Sequence, residues 1–415
     1  MPPIRTLFLM LDCEFPPKTG TPLGIWRNMV ALSKLGPIAV FSVRYNECPW
    51  SALPGVERWH HVEKSKLDSR SALRKVYERI SRLFFPAQYP FFHLQLEKKA
   101  NLELRKLIAD FRPTVVVIDH WLNAIVPSPL LNRNLPLVIA SHDVEWQLLA
   151  DLKNPDWPLH KRLMKNAELF YFRWVEKRLY RAAARTWAVS EVDRRAIQRL
   201  TGLSSEIRTL PAVTEIEFYE PVRQKTMVTR RNSTAGGPTL MYAGGYSFTP
   251  NADAARVLIN DIYPAVRASY PGTRLLLVGP NPRPEMEAAA RSDDHIDVTG
   301  KVDDIRPYLA QADISVAPLL VGGGMRTKII EAFASSLPVV STTKGAEGIP
   351  VQDGKELLVR DGVSDFVAGI KEIWENPARA RALAERGFEF VRREHSMEAM
   401  DARMRAELDE LLTAR

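Results

Sequence analysis

The hydrophobic positions along the chain gather into short apolar runs separated by longer mixed stretches. Residues 6–11 (TLFLML) are apolar apart from one threonine, the pattern of a strand buried on both faces. A helical pattern follows over about 26–35, and 38–43 (IAVFSV) repeats the strand pattern. Residues 115–118, 137–140 and 186–189 are further runs of this kind, rich in β-branched side chains. After the last of them Ser190 stands with Asp193 three residues on, the spacing at which a serine caps a helix N-terminus. Strands alternating with helical stretches predict a parallel sheet with helices on both faces.

The alternation breaks over 221–238 (PVRQKTMVTRRNSTAGGP), which is polar, basic and without period and reads as a linker. It restarts with apolar runs at 239–242, 274–278, 296–299, 314–317 and 338–341. The expected class is therefore α/β, with two doubly wound Rossmann-like domains facing across a cleft, one over 1–220 and one over 239–396. A Glu- and Arg-rich amphipathic helix over 397–412 ends the chain, and the segment 397–415 is free to pack back on the first domain.

Size and composition agree with this picture. A chain of 415 residues exceeds what one ordinary core holds. Hydrophobic residues at 46% and charged residues at 26% are the profile of a globular, water-soluble protein. No apolar run approaches the roughly 20 residues that span a bilayer, and the N-terminal run is too short for a secretory signal. Cys13 and Cys48 are the only cysteines, which gives neither a disulfide framework nor metal-ligand spacing and fits a reducing cytoplasm. A net charge of +8 favours an anionic partner: nucleic acid, an acidic membrane face or a phosphorylated ligand.

The richest chemistry lies in 314–347 (ISVAPLLVGGGMRTKIIEAFASSLPVVSTTKGAE). A strand ends at Pro318, Gly322, Gly323 and Gly324 follow, and a helix begins near Met325. Glycines let the backbone approach a ligand, and a helix N-terminus offers free N–H groups to an anion. Arg326 and Lys328 fall in the first turn, where the helix dipole disfavours cations. A diphosphate bound against that turn removes the misfit. Glu331, one turn on, has the geometry to accept from two ribose hydroxyls, although an ordinary Lys328–Glu331 surface pair explains the same spacing. Gly244 and Gly245 after the strand at 239–242 form a second close-approach turn, and Glu347 in a third loop is placed to face the cleft.

Together, YAGGYSFTPNADA, LLLVGP, VTGKVDDIRPYLAQADISVAPL and GGGMRTKIIEAFASSLPVVSTTKGAEGI resemble glycosyltransferase family 4, of the GT-B fold. The resemblance is strong over about 239–358 and weaker over the N-terminal half. It implies retaining transfer of a sugar from a nucleotide-diphosphate donor to a glycan or lipid-linked acceptor, in cell-surface polysaccharide or glycoconjugate synthesis, with no cofactor and no metal. The first domain would bind the acceptor and the second the nucleotide sugar. Glu331 matches the glutamate on the donor ribose, and Gly244 and Gly245 the loop over the diphosphate. The segment 300–306, with Val302, matches the backbone facing the nucleobase. Two departures stand out. The family's second glutamate, eight positions before Glu331, is Gly323 here. The usual Arg and Lys of the first glycine loop are replaced by Tyr246, Ser247 and Phe248, so Arg326 and Lys328 are assigned to the diphosphate instead.

In the first domain His142 follows the strand at 137–140 and resembles the family's histidine near the transferred sugar, while capping of the next helix by His142 and Asp143 is the plainer alternative. Asp119 and His120 after the strand at 115–118 are a second candidate pair, with a solvated loop as the alternative. The loop 16–24 after the first strand carries Gly20 and Thr21, which match a loop near the donor phosphate or the acceptor. In the implied reaction Arg326, Lys328 and helix N–H groups stabilise the departing diphosphate. The acceptor attacks on the face the leaving group departs from, and a donor phosphate oxygen takes its proton. A carboxylate nucleophile at Asp143 or Glu145 is the alternative route to retention.

Two stretches, 70–106 and 160–185, combine cations with aromatic residues, as helices lying on anionic membrane surfaces do. The same pattern arises when the aromatics are core and the charges a solvated face. The expected location is cytoplasmic, with peripheral attachment to the inner membrane face as an extension of that reading. Nucleic acid is disfavoured because these stretches form no reading motif. A nucleotide-sugar epimerase of the same fold, or an inactive membrane-associated scaffold of a polysaccharide-assembly complex, are the rival functions.

Overall fold

A computed structural model of the chain describes residues 3–11, 20–44, 55–63, 94–119, 135–144, 146–147, 150, 158–229, 236–322 and 326–413. It divides into two compact units, Met1–Leu210 with Met400–Arg415, and Pro211–Ala399.

The first unit is built on a seven-stranded sheet. Its strands are β1 (Thr6–Leu11), β2 (Ile38–Arg44), β3 (Val56–Glu63), β4 (Val115–Asp119), β5 (Leu137–Ser141), β6 (Arg185–Ala188) and β7 (Ile207–Thr209), in the order β3-β2-β1-β4-β5-β6-β7. Every pairing is parallel. The second unit holds β8 (Thr239–Ala243), β9 (Arg274–Val278), β10 (Ile296–Val298), β11 (Ile314–Ala317), β12 (Val339–Ser341) and β13 (Leu358–Val359), in the order β10-β9-β8-β11-β12-β13. These pairings are parallel too. Both orders reverse direction once, between β1 and β4 and between β8 and β11. In sheets of this kind ligands bind outside the carboxyl ends of the strands at that switch point.

Alternation along each strand explains why both faces are covered. Leu240 and Tyr242 of β8, Leu275 and Leu277 of β9, and Ile314 and Val316 of β11 point into one apolar layer. Met241, Leu276, Val278 and Ala317 point into the opposite layer with Phe333, Phe388 and Phe390. The helix Glu191–Thr201 begins as the sequence suggested: Ser190 accepts the Asp193 backbone N–H at 3.1 Å.

Two sequence expectations are corrected. The first half of the expected linker at 221–238 is helix, because Ile216–Thr229 is helical. Its polar composition hid a narrow stripe, Tyr219, Val222 and Thr226, which is buried, while Arg223 lays its guanidinium 4.0 Å from the Phe388 ring centre. The boundary between units therefore falls at Leu210 and Pro211. Second, the helix after β1 starts at Gly20, not near Trp26, so Gly20 and Thr21 belong to its first turn rather than to a loop. Pro22 in that turn needs no N–H partner and favours the early start. The C-terminal helix Met397–Thr413 does pack back on the first unit, to which Met400–Arg415 belongs, and there Arg185 and Arg208 both reach Glu410, at 2.9 and 3.0 Å.

Candidate functional site

At the switch point of the second sheet the carboxyl ends of β8 and β11 lead into the two glycine turns. β8 runs into Gly244 and Gly245, and then into the helix Thr249–Val257. β11 runs through Gly322, at φ +111, toward the helix Thr327–Ala334, whose N-cap is Arg326. Gly323 and Gly324 lie outside the described residues. Asn251 and Lys328 sit in the first turns of the two helices, and the Lys328 ammonium donates to Asn251 Oδ1 at 2.9 Å. Two helix N-termini thus converge on one point, and both dipoles favour an anion there.

What holds Lys328 was invisible in the sequence. Its ammonium also donates to the Tyr242 hydroxyl at 2.8 Å and lies 4.0 Å from the Tyr242 ring centre. The Tyr242 hydroxyl donates in turn to Asn251 Oδ1 at 2.8 Å, and Asn251 Nδ2 donates to the Gly245 carbonyl at 3.0 Å. Both oxygens that the Lys328 ammonium reaches, the Tyr242 hydroxyl and Asn251 Oδ1, are neutral. Burial pushes the Lys328 pKa well below the usual lysine range, Arg326 pushes it further, and Glu331 opposes both. Arg326 is itself buried and donates to the Gly322 carbonyl at 2.8 Å. Two cations therefore share a corner rich in N–H donors, an arrangement that a bound anion would relieve.

The glycines have assignable reasons. A Cβ on Gly244 would stand 2.8 Å from Asn251 Nδ2, so Gly244 makes room for the side chain that steadies Lys328. Gly245 has open space before it, with Pro280 Cγ nearest at 3.8 Å. Tyr246 is fully buried in the core and Arg283 donates to its carbonyl at 3.0 Å, which places a further cation beside this loop. Glu331 is half-buried one turn beyond Lys328. Its helix is anchored from behind by Ala332, Phe333 and Ala334 in the core, and by Thr226 Oγ1 donating to the Ser335 carbonyl at 3.0 Å. Val302 follows Gly300, which has φ +66, and packs its side chain partly on the core. Glu347 pairs with Lys344 at 2.5 Å.

The first sheet carries a different cluster at its own switch point. Asp119, the last residue of β4, is fully buried. Its Oδ1 meets His142 Nε2 at 2.5 Å, and its Oδ2 accepts from Asn28 Nδ2 at 2.8 Å. Asn28 belongs to the helix Gly20–Ser33, and so does Gly24, where a Cβ would stand 2.9 Å from His142 Cε1. The helix after β1 thus supplies both a bare patch for the imidazole and an anchor for its carboxylate. Burial opposes the charged imidazolium, but the Asp119 charge and hydrogen bond, helped by Asp143, outweigh it and hold the His142 pKa above its usual value. Asp119 as a residue of a loop reaching the acceptor or a phosphate is accordingly corrected: its burial and its two partners make it the support of His142. His120 and Glu145 lie outside the described residues, as do residues 12–19 of the loop after β1. Among the described residues, no group of three or more His, Cys, Asp or Glu side chains is placed to hold a metal ion.

Residues 39–212 match the family described as "Glycosyl transferase 4-like domain", and residues 237–376 match "Glycosyl transferases group 1". The chain is a glycosyltransferase of the GT-B fold. The transferase is 19% identical over 398 residues to an uncharacterized 44.6 kDa protein in the cps region of Klebsiella pneumoniae, covering 93% of this chain and 95% of that one. In structure it is similar to sucrose-phosphate synthase from Thermosynechococcus elongatus, at TM-score 0.70 and 18% identity over 99% of this chain and 100% of that one. It is also similar to HepE from Anabaena solved in complex with UDP and glucose, at TM-score 0.63 and 14% identity over 98% and 99% of the two chains.

Proposed function

We propose that the transferase moves a sugar, with retention of configuration, from a nucleotide-diphosphate donor to a glycan or lipid-linked acceptor. The observation behind this reading is the Lys328 corner, where two helix N-termini and two cations, the buried Arg326 and the half-buried Lys328, converge on the carboxyl edge of the second sheet. That is the electrostatic requirement of a diphosphate. In the proposed reaction the acceptor hydroxyl oxygen bonds to the anomeric carbon while the bond from that carbon to the diphosphate breaks. The leaving diphosphate takes the electron pair, Arg326 and Lys328 stabilise its charge, and one of its oxygens takes the acceptor proton. No cofactor or metal takes part in this scheme. Glu331 accepts from the donor ribose hydroxyls, and the backbone at 300–306, including Val302, faces the base. His142, oriented by Asp119, Asn28 and Gly24, is the polar group offered to the transferred sugar from the N-terminal unit. The likeness to HepE, solved with UDP, makes uridine diphosphate the first donor product to test. The relative in the cps region fits a place in cell-surface polysaccharide or glycoconjugate synthesis.

The test is a thermal-shift series with uridine, guanosine and thymidine diphosphates. A ligand at about a hundred times its Kd stabilises by roughly 2.7 kcal/mol, which is a readable shift in Tm. One of the three should give it, and Glu331→Ala should lose most of it. A full shift in Glu331→Ala would overturn the ribose assignment, and no shift with any diphosphate would overturn the donor site.

A further inference from the structure

We propose that the exposed face of the helix Leu159–Ala182 is an interfacial surface that lays the N-terminal unit onto an anionic lipid bilayer. This goes beyond the transfer reaction and stands whether or not the donor assignment holds.

The helix has two unlike faces. One buries Phe172, Glu176 and Tyr180, spaced by four residues, in the core against the helix Glu191–Thr201. The other presents four large apolar side chains to solvent: Leu159 at 69% exposure, Leu163 at 59%, Phe170 at 75% and Trp174 at 52%. At 100° per residue these four fall within an arc of about 60°, and they run for roughly 22 Å along the axis. Scattered exposed apolar residues are ordinary, but four large ones aligned on one arc, interrupted by Asn166, mark a surface that something covers.

The charges say what covers it. Over its 24 residues the helix has seven cations and two carboxylates. Of these, Glu176 is turned inward and accepts the Trp146 backbone N–H at 3.2 Å, so it subtracts nothing from the outer face. Arg162 and Arg173 border the stripe on one side and Arg178 on the other, and all three are exposed. Arg178 lies 5.7 Å from the Trp174 ring centre, so that indole and guanidinium stand together at the rim. An aromatic and aliphatic stripe flanked on both sides by guanidinium groups is the arrangement that buries apolar side chains at the headgroup level while cations meet anionic lipid. The stripe is long, narrow and edged with charge on both sides, which suits a flat anionic surface better than a protein groove that would desolvate those cations. The helix is not a span, since among the described residues no helix is long and apolar enough to cross a membrane.

Co-sedimentation of the full chain tests this, with vesicles of phosphatidylcholine alone and of phosphatidylcholine mixed with phosphatidylglycerol. The wild type should partition onto the mixed vesicles, on the order of tenfold or more over the neutral ones, and added salt should weaken it. Phe170→Ser with Trp174→Ser, and separately Lys177→Ser with Arg178→Ser, should each cut that partitioning by about tenfold. All four side chains are solvent-exposed, so an unchanged Tm should accompany the loss. Equal binding to both vesicle types, or wild-type binding by the Phe170/Trp174 variant, would overturn the proposal. So would lipid-free self-association that the same variant abolishes, since that outcome assigns the stripe to a second copy of the chain.

Discussion

The two sheets share the order of their first six strands, and each places a titratable side chain at its switch point, yet the two side chains are held in opposite ways. Lys328 rests on neutral acceptors beside Arg326, and its pKa is pushed down. His142 rests on a buried carboxylate, and its pKa is pushed up. One corner has positive charge in excess and gains from an arriving anion. The other has its cation matched within the fold and gains nothing from a diphosphate. Topology alone makes both switch points candidates for a nucleotide; the way each charge is matched separates them.

The largest expected effect follows from that contrast. Lys328→Met should weaken nucleoside-diphosphate binding by about 1.5–3 kcal/mol, the worth of a hydrogen bond to a charged group, or roughly tenfold to a hundredfold by calorimetry. The same change should not lower stability. A lysine with a depressed pKa costs the folded state most below that folded pKa, and the cost fades as pH rises through it, so removing the charge removes the cost. A variant that melts earlier at neutral pH without losing affinity would break the comparison at this end.

Gly24→Ala should come next. Its new Cβ meets the His142 ring at 2.9 Å, and overpacking of this kind costs about 1–3 kcal/mol. Chemical denaturation should show the loss, and the His142 resonances in NMR should move with it. Intact stability with an unmoved His142 would mean that the helix does not position the imidazole.

The smallest effect sharpens the other end. A raised His142 pKa contributes stability that is fully present below the unfolded value of about 6.5 and is lost as pH rises through the folded pKa. In Asp119→Asn that pH-dependent contribution should vanish, and an NMR titration should place His142 lower than in the wild type. A titration that does not change would remove Asp119 from its proposed positioning role.

The sequence showed some of this and hid the rest for physical reasons. The central strands β1, β2, β4, β5, β8, β9, β11 and β12 were legible because burial on both faces demands unbroken apolar runs. β3, β7 and β13 were not, and all three are sheet edges. Val56–Glu63 carries two Glu, one Arg and two His in eight residues, and β13 is two residues long. The glycine–Arg–Lys–Glu segment was legible because its residues are close in the chain. The residues that decide its electrostatics were not: Tyr242 and Asn251 lie 86 and 77 positions from Lys328. Asn28 lies 91 positions from Asp119, and only folding brings Gly24 under the imidazole. Gly24 gave no local hint, because the sequence placed it in a loop before the helix and the structure places it inside one.

The contrast between the corners is tested most directly by calorimetric binding of uridine diphosphate to three proteins: wild type, Lys328→Met and Asp119→Asn. The account predicts that Lys328→Met loses roughly tenfold or more in affinity while Asp119→Asn binds as the wild type does. Equal affinity in wild type and Lys328→Met, or a comparable loss in Asp119→Asn, would contradict it.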